Sequence, residues 1–464
     1  MPNNTFDLIV RGGQVVSPRG VIAADVGVRD GRICAVADRL DPDRAAATID
    51  AGGLHVLPGC FDTHMHLWET GFTSRPDFRD STLEAAYGGI TTILDHPLTI
   101  PEILNADGFR EKVALGQATS YVDFGLHAGI SPHNLADLQG MWDEGATAFK
   151  IFMCHSGSKV EGLSDGELIE AFRTVSRFGG IVLLHAEADQ MVQYNRARLE
   201  AAGRKDPLAF LESRPPEVES EAIRKALHFV ELSGVRAIFA HTSVPEGIAA
   251  IEITRAKGHE IWVETCPHYL YFTTDDMQRL GPYVKFSPTV RDPVRVEGLW
   301  RDLAAGRIQL MGSDHGPVEK ARKERGWKSI WEGQGGMPSV EVMVPLMLNA
   351  VAEGRLTIER LGALLSEQPA RIFGLFPRKG IIQTGSDADL TLVDLKSDWT
   401  VSVGRLHANY GYTPYEGQRI QGRVVHTIVR GRSVVADGEL IGKPGWGRFH
   451  PRAEQGSRVV HAAD

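Results

Sequence analysis

The sequence predicts an α/β protein: a (β/α)8 (TIM) barrel joined to a small β-sandwich domain that both ends of the chain build together. Three observations predict it. A long central stretch alternates apolar, β-branched runs with amphipathic Ala/Leu/Glu-bearing ones. The two ends instead carry strand patterns broken by Gly turns. No Gly-x-Gly-x-x-Gly opens a helix after the first central strand, so the competing open, doubly wound nucleotide-binding sheet lacks its marker. The 464 residues suggest about three domains by length alone, and a single barrel can absorb most of them.

Residues 6–52 read as β structure. Asp7–Arg11 is a strand, and Val26–Val36 is a hairpin turning at Asp30-Gly31. A segment this short cannot enclose a core by itself. Its complement lies at the other end, where Asp387–Asp394, Val424–Val429 and Ser433–Gly438 repeat the strand-and-Gly pattern. The expected division is therefore 1–57 for the first part of the sandwich, 58–376 for the barrel, and 377–464 for the second part of the sandwich and a tail.

Barrel strands are expected at Phe61–His66, Ile90–Asp95, Tyr121–Ala128, Ala146–Met153, Gly180–Ala186, Val235–His241, Glu260–Cys266 and Ile308–Ser313. Helices between them include Asp165–Phe178, Glu217–Leu232, Pro245–Lys257 and Pro293–Ala305. Thr70–Asp80 and Val318–Pro338 are long, Gly- and charge-rich connections after strand ends, where barrels carry active-site loops. Thr357–Phe373 reads as a closing helix that stops at Gly374.

Bulk composition excludes several classes. A net charge of −9 with scattered basic residues leaves no footprint for nucleic acid or an anionic membrane. No apolar run approaches the roughly 18 residues of a membrane span, and the first residues show no leader pattern. The four cysteines (Cys34, Cys60, Cys154, Cys266) are far apart, which argues against a disulfide framework and a thiolate zinc site. The expectation is a soluble cytoplasmic protein.

The chemistry centres on Pro58-Gly-Cys-Phe-Asp-Thr-His-Met-His-Leu67. In a strand, His64 and His66 share a face and Met65 points opposite. Seventeen His in 464 residues would supply about 0.6 such pairs by chance, so the pair alone decides little. The other strand ends add Asp95/His96, Lys150, His185, His241, His268 and Asp314/His315. Singly, each has a dull explanation: a core histidine, a capping aspartate, a snorkelling lysine. Jointly the dull explanations fail, because so many buried ionisable groups would all need partners, and a metal centre supplies them. Lys150 is apolar on both sides, in Thr147-Ala-Phe-Lys150-Ile-Phe-Met153. A desolvated amine loses its charge and can take up carbon dioxide as a carbamate able to bridge two cations; a buried Lys–Asp pair is the alternative.

Asp62-Thr-His64-Met-His66, Phe149-Lys150, Leu184-His185-Ala-Glu187, Ala240-His241-Thr-Ser243, Glu264-Thr-Cys-Pro-His268 and Gly312-Ser-Asp314-His-Gly-Pro317 resemble the cyclic amidohydrolases, the group of allantoinase, hydantoinase/dihydropyrimidinase and dihydroorotase. The resemblance spans nearly the whole chain, including Gly385-Ser-Asp387-Ala-Asp389-Leu after the barrel. It implies that His64, His66 and Asp314 bind the more buried of two divalent metal ions and His185 and His241 the second. N6-carboxylated Lys150 and a hydroxide would bridge the pair. The implied metal is zinc, with cobalt, manganese or nickel as alternatives. Asp314 would take the proton of the attacking hydroxide and deliver it to the leaving nitrogen. The group's relatives imply a homotetramer acting on a small cyclic amide or ureide, with no nucleic-acid or membrane partner.

The choice of ring rests on fewer residues. Trp68 stands two residues after His66, where dihydroorotases place an arginine for the substrate carboxylate, which disfavours that substrate unless Arg75 substitutes. His155 stands where hydantoinases carry an oxyanion-binding tyrosine. Glu69, Gly71, Pro97-Leu98, Cys266-Pro-His-Tyr-Leu270 and Lys285-x-Ser287-Pro288 match allantoinases. His96, where a Met is common, and Gly336-Met-Pro338-Ser-Val-Glu341, closer to a hydantoinase or dihydroorotase loop, depart from that pattern. Trp68, His155, Ser287 and Gly336 are the expected substrate contacts. Allantoin opened to allantoate leads, then hydantoin or dihydropyrimidine, then dihydroorotate. A non-catalytic scaffold relative would have lost ligand positions that are all filled here, and a mononuclear deaminase would lack the bridging lysine.

Overall fold

Asp30 and Gly31 turn the chain between strands Gly20–Arg29 and Arg32–Ala37, and both take positive φ, 52° and 74°. That pair of left-handed residues is what a two-residue hairpin requires. The computed structural model describes residues 5–67, 77–155, 160, 162–407 and 410–452. The hairpin belongs to a nine-stranded sheet built from both ends of the chain. Strand His55–Pro58 joins the halves: it runs parallel to Phe6–Ser17 (Gln14↔His55) and antiparallel to Leu390–Thr400 (Leu390↔Pro58). Beyond Leu390–Thr400 follow Arg419–Val429 and Arg432–Ala436, at the positions expected for the C-terminal strands. Ala45–Asp50, which the sequence pattern did not mark, adds to Phe6–Ser17 in parallel.

The central strands are parallel and buried on both faces, which is why they read as continuous apolar runs rather than alternating ones. Cys60–Met65, Ile90–Asp95 and Asp123–Leu126 form one sheet. Ala128–Gly129, Phe149–Phe152, Ile181–His185, Arg236–Phe239, Ile261–Thr265 and Leu310–Met311 form the other. The sheets adjoin through the continuous segment 123–129. At the opposite seam Met65 bridges His315, His66 N–H donates to the His315 carbonyl (2.9 Å), and Ser313 N–H donates to Asp62 Oδ1 (2.9 Å). The last strand is shorter than the expected Ile308–Ser313, because beyond Met311 the Ser313 amide is taken by the Asp62 side chain rather than by a neighbouring strand.

Helices Asp165–Arg177, Pro216–Ser233, Pro245–Arg255 and Pro293–Ala304 lie where expected. The Thr70–Asp80 connection is only partly a loop. Helix Phe78–Tyr87 begins inside it, capped by Asp77, whose carboxylate accepts the Asp80 N–H; residues 70–76 lie outside the described residues. Val318–Pro338 likewise contains a short helix, Lys320–Glu324. Among the described residues no helix is long and apolar enough to cross a membrane.

A buried ionic cluster ties the two layers together. Asp123, opening the third central strand, accepts from Lys379 Nζ (2.7 Å), His450 Nε2 (2.7 Å), the Arg448 N–H (3.0 Å) and Arg430. Lys379 also reaches Asp389, just before strand Leu390–Thr400. Removing one member leaves buried charge uncompensated. Lys379→Met should therefore cost about 3–5 kcal/mol, read as a fall in the denaturant midpoint; an unchanged midpoint would refute the clasp.

Candidate active site

The first strand positions the first histidines by breaking its own regularity. Asp62 pairs with Ile93 and Met65 with Asp95, so three steps on one strand oppose two on the other. That is a bulge, which re-aims side chains. Strict alternation is interrupted here, and Thr63 and His64 both reach one carboxylate, Glu264. His64 Nδ1 lies 2.6 Å from Glu264 Oε1, and Thr63 Oγ1 donates to Oε2 at 2.6 Å. The His241 backbone N–H donates to the same Oε1 at 3.2 Å. Gly312 permits the last strand to approach, since a Cβ there would lie 2.4 Å from the His64 Cβ.

Asp314 gathers the first pair. Its Oδ1 lies 3.1 Å from His66 Nε2 and 3.4 Å from His64 Nε2. Burial pushes the Asp314 carboxyl up, but the hydrogen bond and charge of His66 outweigh it and hold the group below the usual range. His185 Nδ1 and His241 Nε2 form a second pair, 3.0 Å apart. Asp314 and His241 both have positive φ, 50° and 36°. For non-glycine residues this costs about 1–3 kcal/mol and collects at functional sites.

Glu187 sits behind His185, with Oε2 2.7 Å from Nε2, and Arg214 bonds the same oxygen. Burial pushes Glu187 up, yet Arg214 and His185 bring it down to about 2, so it is a stable anion that fixes the ring. Cys154 lies within reach of His185 and Glu187, and burial pushes its thiol up.

Lys150 is buried, its Nζ 5.0 Å from the Phe152 ring centroid. Among the described residues no carboxylate stands within ion-pair distance of it, so the Lys–Asp pair considered from sequence is not formed. Burial is the main influence and drives its amine down; the charges of Asp314 and Glu264 oppose this.

The donor set fits divalent cations. Burial, and then the neighbouring imidazoles and Lys150, push His64 and His241 far below the ordinary histidine value, and burial pushes His185 down too. Neutral imidazole is the form that ligates. His64 Nε2 and His241 Nδ1 are buried without a hydrogen-bond partner. Lys150, as an uncharged amine, is the form that carbamate chemistry needs.

Other sequence-marked residues serve differently. Asp95 accepts the Leu67 N–H (2.9 Å) and pairs with Lys112 (3.3 Å). His96 stacks flat on His64, centroids 3.6 Å apart and planes 12° apart. Its ring atoms come within ligand distance of His64 and His66, but parallel stacked rings do not aim their in-plane lone pairs at one point, so His96 supports the His64 ring. His315 Nδ1 accepts the Ser339 and Val340 N–H groups, and His268 packs against Phe286. His155 is exposed and its N–H bonds Asp189 (2.9 Å); Ser287 lines the same cavity as His155. Both backbone groups of Gly336 are engaged, by the Lys285 carbonyl and by Lys323 Nζ. Trp68, Glu69, Gly71 and Arg75 lie outside the described residues. The roles of Thr63, Glu264, Glu187 and Arg214 were missed from sequence, although an acid inside the apolar run Ile261-Trp-Val-Glu-Thr265 was a signal.

The family model described as Amidohydrolase family matches residues 55–434. An L-hydantoinase of Paenarthrobacter aurescens is 39% identical over 452 residues, covering 96% of this chain and 98% of that protein. An allantoinase of Deinococcus radiodurans is 38% identical over 453 residues, covering 97% and 100%. The solved structure of an L-hydantoinase (dihydropyrimidinase) from Arthrobacter aurescens superposes with a TM-score of 0.93 at 38% identity, covering 97% of this chain and 100% of that one.

Glu264 is expected to control metal retention through His64. Glu264→Gln should weaken metal binding about 10–100-fold, measured by competition with a chelator. Binding as tight as in the unsubstituted protein would remove Glu264 from that role.

Proposed function

The chain belongs to the amidohydrolase family, and from that premise we propose that it hydrolyses a carbon–nitrogen bond within a cyclic amide or ureide, allantoin opened to allantoate being the first substrate. The convergence of His64, His66, Lys150, His185, His241 and Asp314 on the ends of the parallel strands carries this reading. A second reading, hydantoin, is favoured by the close superposition on an L-hydantoinase and by the Gly336-Met-Pro338 segment.

In this proposal His64, His66 and Asp314 would hold one divalent ion and His185 and His241 the other, with N6-carboxylated Lys150 as a further ligand and zinc the first candidate metal. Two such ions, when bound, supply an activated water and a polarised carbonyl. Glu264 and Glu187 hold the His64 and His185 rings with their ligating nitrogens forward. Asp314, kept ionised by His66, accepts the proton of the attacking water and passes it to the leaving amide nitrogen. Trp68, His155, Ser287 and Gly336 are the proposed substrate contacts. The two parallel sheets are read as one (β/α)8 barrel, supported by the hydrogen bonds at the 65/315 seam. The division into 1–57, 58–376 and 377–464 belongs to the same proposal. So does a cytoplasmic homotetramer: the free thiols Cys60, Cys154 and Cys266 suit a reducing compartment, and sedimentation tests the assembly.

Two outcomes are expected. Allantoin or hydantoin should be opened in a panel that also holds dihydrouracil, dihydroorotate and succinimide; no turnover of any would refute the substrate class. Lys150→Ala should lose about a hundredfold or more of that activity, partly restored by added short carboxylates, and full activity without rescue would remove Lys150 from the mechanism.

A further inference from the structure

Bordering His155 and Ser287, two of the proposed substrate contacts, lies a cavity of about 200 Å³. Its lining carries Arg196, Arg214 and Lys285, and among the described residues no aspartate or glutamate. Three cations around so small a space repel one another. Each is nevertheless held there. Arg196 stands on helix Asp189–Ala201, its guanidinium 5.3 Å from the Trp331 ring centroid and its Nε on Glu200 (3.0 Å). Arg214 is tied to Glu187 and lies 5.4 Å from the Phe210 centroid. Lys285 Nζ donates to the carbonyls of Ile330 (2.6 Å) and Gly333.

The charges are only partly answered. Glu200 and Glu187 meet the two arginines from outside the lining, while among the described residues the Lys285 ammonium meets neutral carbonyls and the Phe210 ring, and no carboxylate. Burial, then Arg196 and Arg214, push the Lys285 amine down to about 8, with no anion opposing them. Arg214 Nε is buried without a hydrogen-bond partner. The terminal nitrogens of Arg196 make no hydrogen bond among the described residues. A cavity with unused donors, excess positive charge and aromatic walls has the chemistry of a carboxylate receptor.

Resting on the cyclic-amide hydrolase reading, we propose that this cavity receives a carboxylate borne on a short exocyclic arm of the ring, so that the preferred substrates are acid-substituted cyclic ureides. Ser287 marks the boundary between ring and arm. Arg196 is the residue that discriminates, because it is half exposed and, among the described residues, hydrogen-bonded through Nε alone, which leaves its terminal nitrogens for the arm.

The test compares 5-(2-carboxyethyl)hydantoin with its neutral isostere, 5-(2-carbamoylethyl)hydantoin, on the metal-loaded enzyme. The acid should be favoured in kcat/KM by about tenfold or more, through KM, and Arg196→Gln should erase the preference. The preference should also shrink with added salt. Equal kcat/KM for the two rings, or a preference that survives in Arg196→Gln, would overturn the subsite while leaving ring opening intact. Turnover of neither ring counts against the hydrolase reading, and calorimetric binding of the same pair then decides the subsite: tighter binding of the acid, lost in Arg196→Gln, supports it, and equal binding overturns it.

Discussion

One buried carboxylate, Glu264, holds three strands to a common geometry. It receives His64 Nδ1 and Thr63 Oγ1 from Cys60–Met65 and the His241 N–H from just beyond Arg236–Phe239, and it sits on Ile261–Thr265 itself. Burial pushes its acid form up, and the donors around it work the other way. A cluster of neutral imidazoles packed this tightly has no reason to present its lone pairs in one direction unless something behind it fixes each ring. Glu264 does so for His64, and Glu187 with Arg214 does so for His185. The stacked His96 ring adds a flat backing to His64. The histidines are thus set by carboxylates that stand behind them.

Much of the architecture was legible because parallel strands buried on both faces leave an unbroken apolar run, and Ile90–Asp95 matches its expected limits residue for residue. The ionisable residues at the ends of those runs were legible for the same reason: a His or Asp that ends an apolar strand stands out. What was hidden required a second chain segment. The bulge at 62–65 depends on pairing with Ile90–Asp95, and no local pattern in Asp-Thr-His-Met announces it. Glu264 looked like one more acid in a motif until His64 and Thr63 were seen to converge on it. His96 offered a plausible ligand by type, and only the angle between two rings makes it a support. The Lys–Asp alternative for Lys150 needed the absence, among the described residues, of a carboxylate within ion-pair distance of its ammonium to be set aside.

The left-handed backbone at His241 and Asp314 shows where rigidity is concentrated. Both residues leave their strands abruptly, in conformations that a free chain would avoid, and both are pinned by contacts to neighbouring strands. The cationic cavity beside Ser287 is built differently, from a helix side chain, a loop lysine and aromatic faces. Arg214 belongs to both, through Glu187 behind His185 and through the cavity lining, so the proposed selectivity cavity is tied to the support of the histidines.

The strand His55–Pro58 has a consequence for how the chain is made. Its parallel neighbour, Phe6–Ser17, leaves the ribosome before it, whereas its antiparallel neighbour, Leu390–Thr400, emerges only after all the central strands. Throughout the intervening translation one edge of an apolar sheet lacks its mate. Such an edge is a template for any other extended chain nearby. The interval between those two strands is thus the window in which nascent copies on one messenger are most exposed to pairing with each other, and slow decoding of the codons between them would lengthen it.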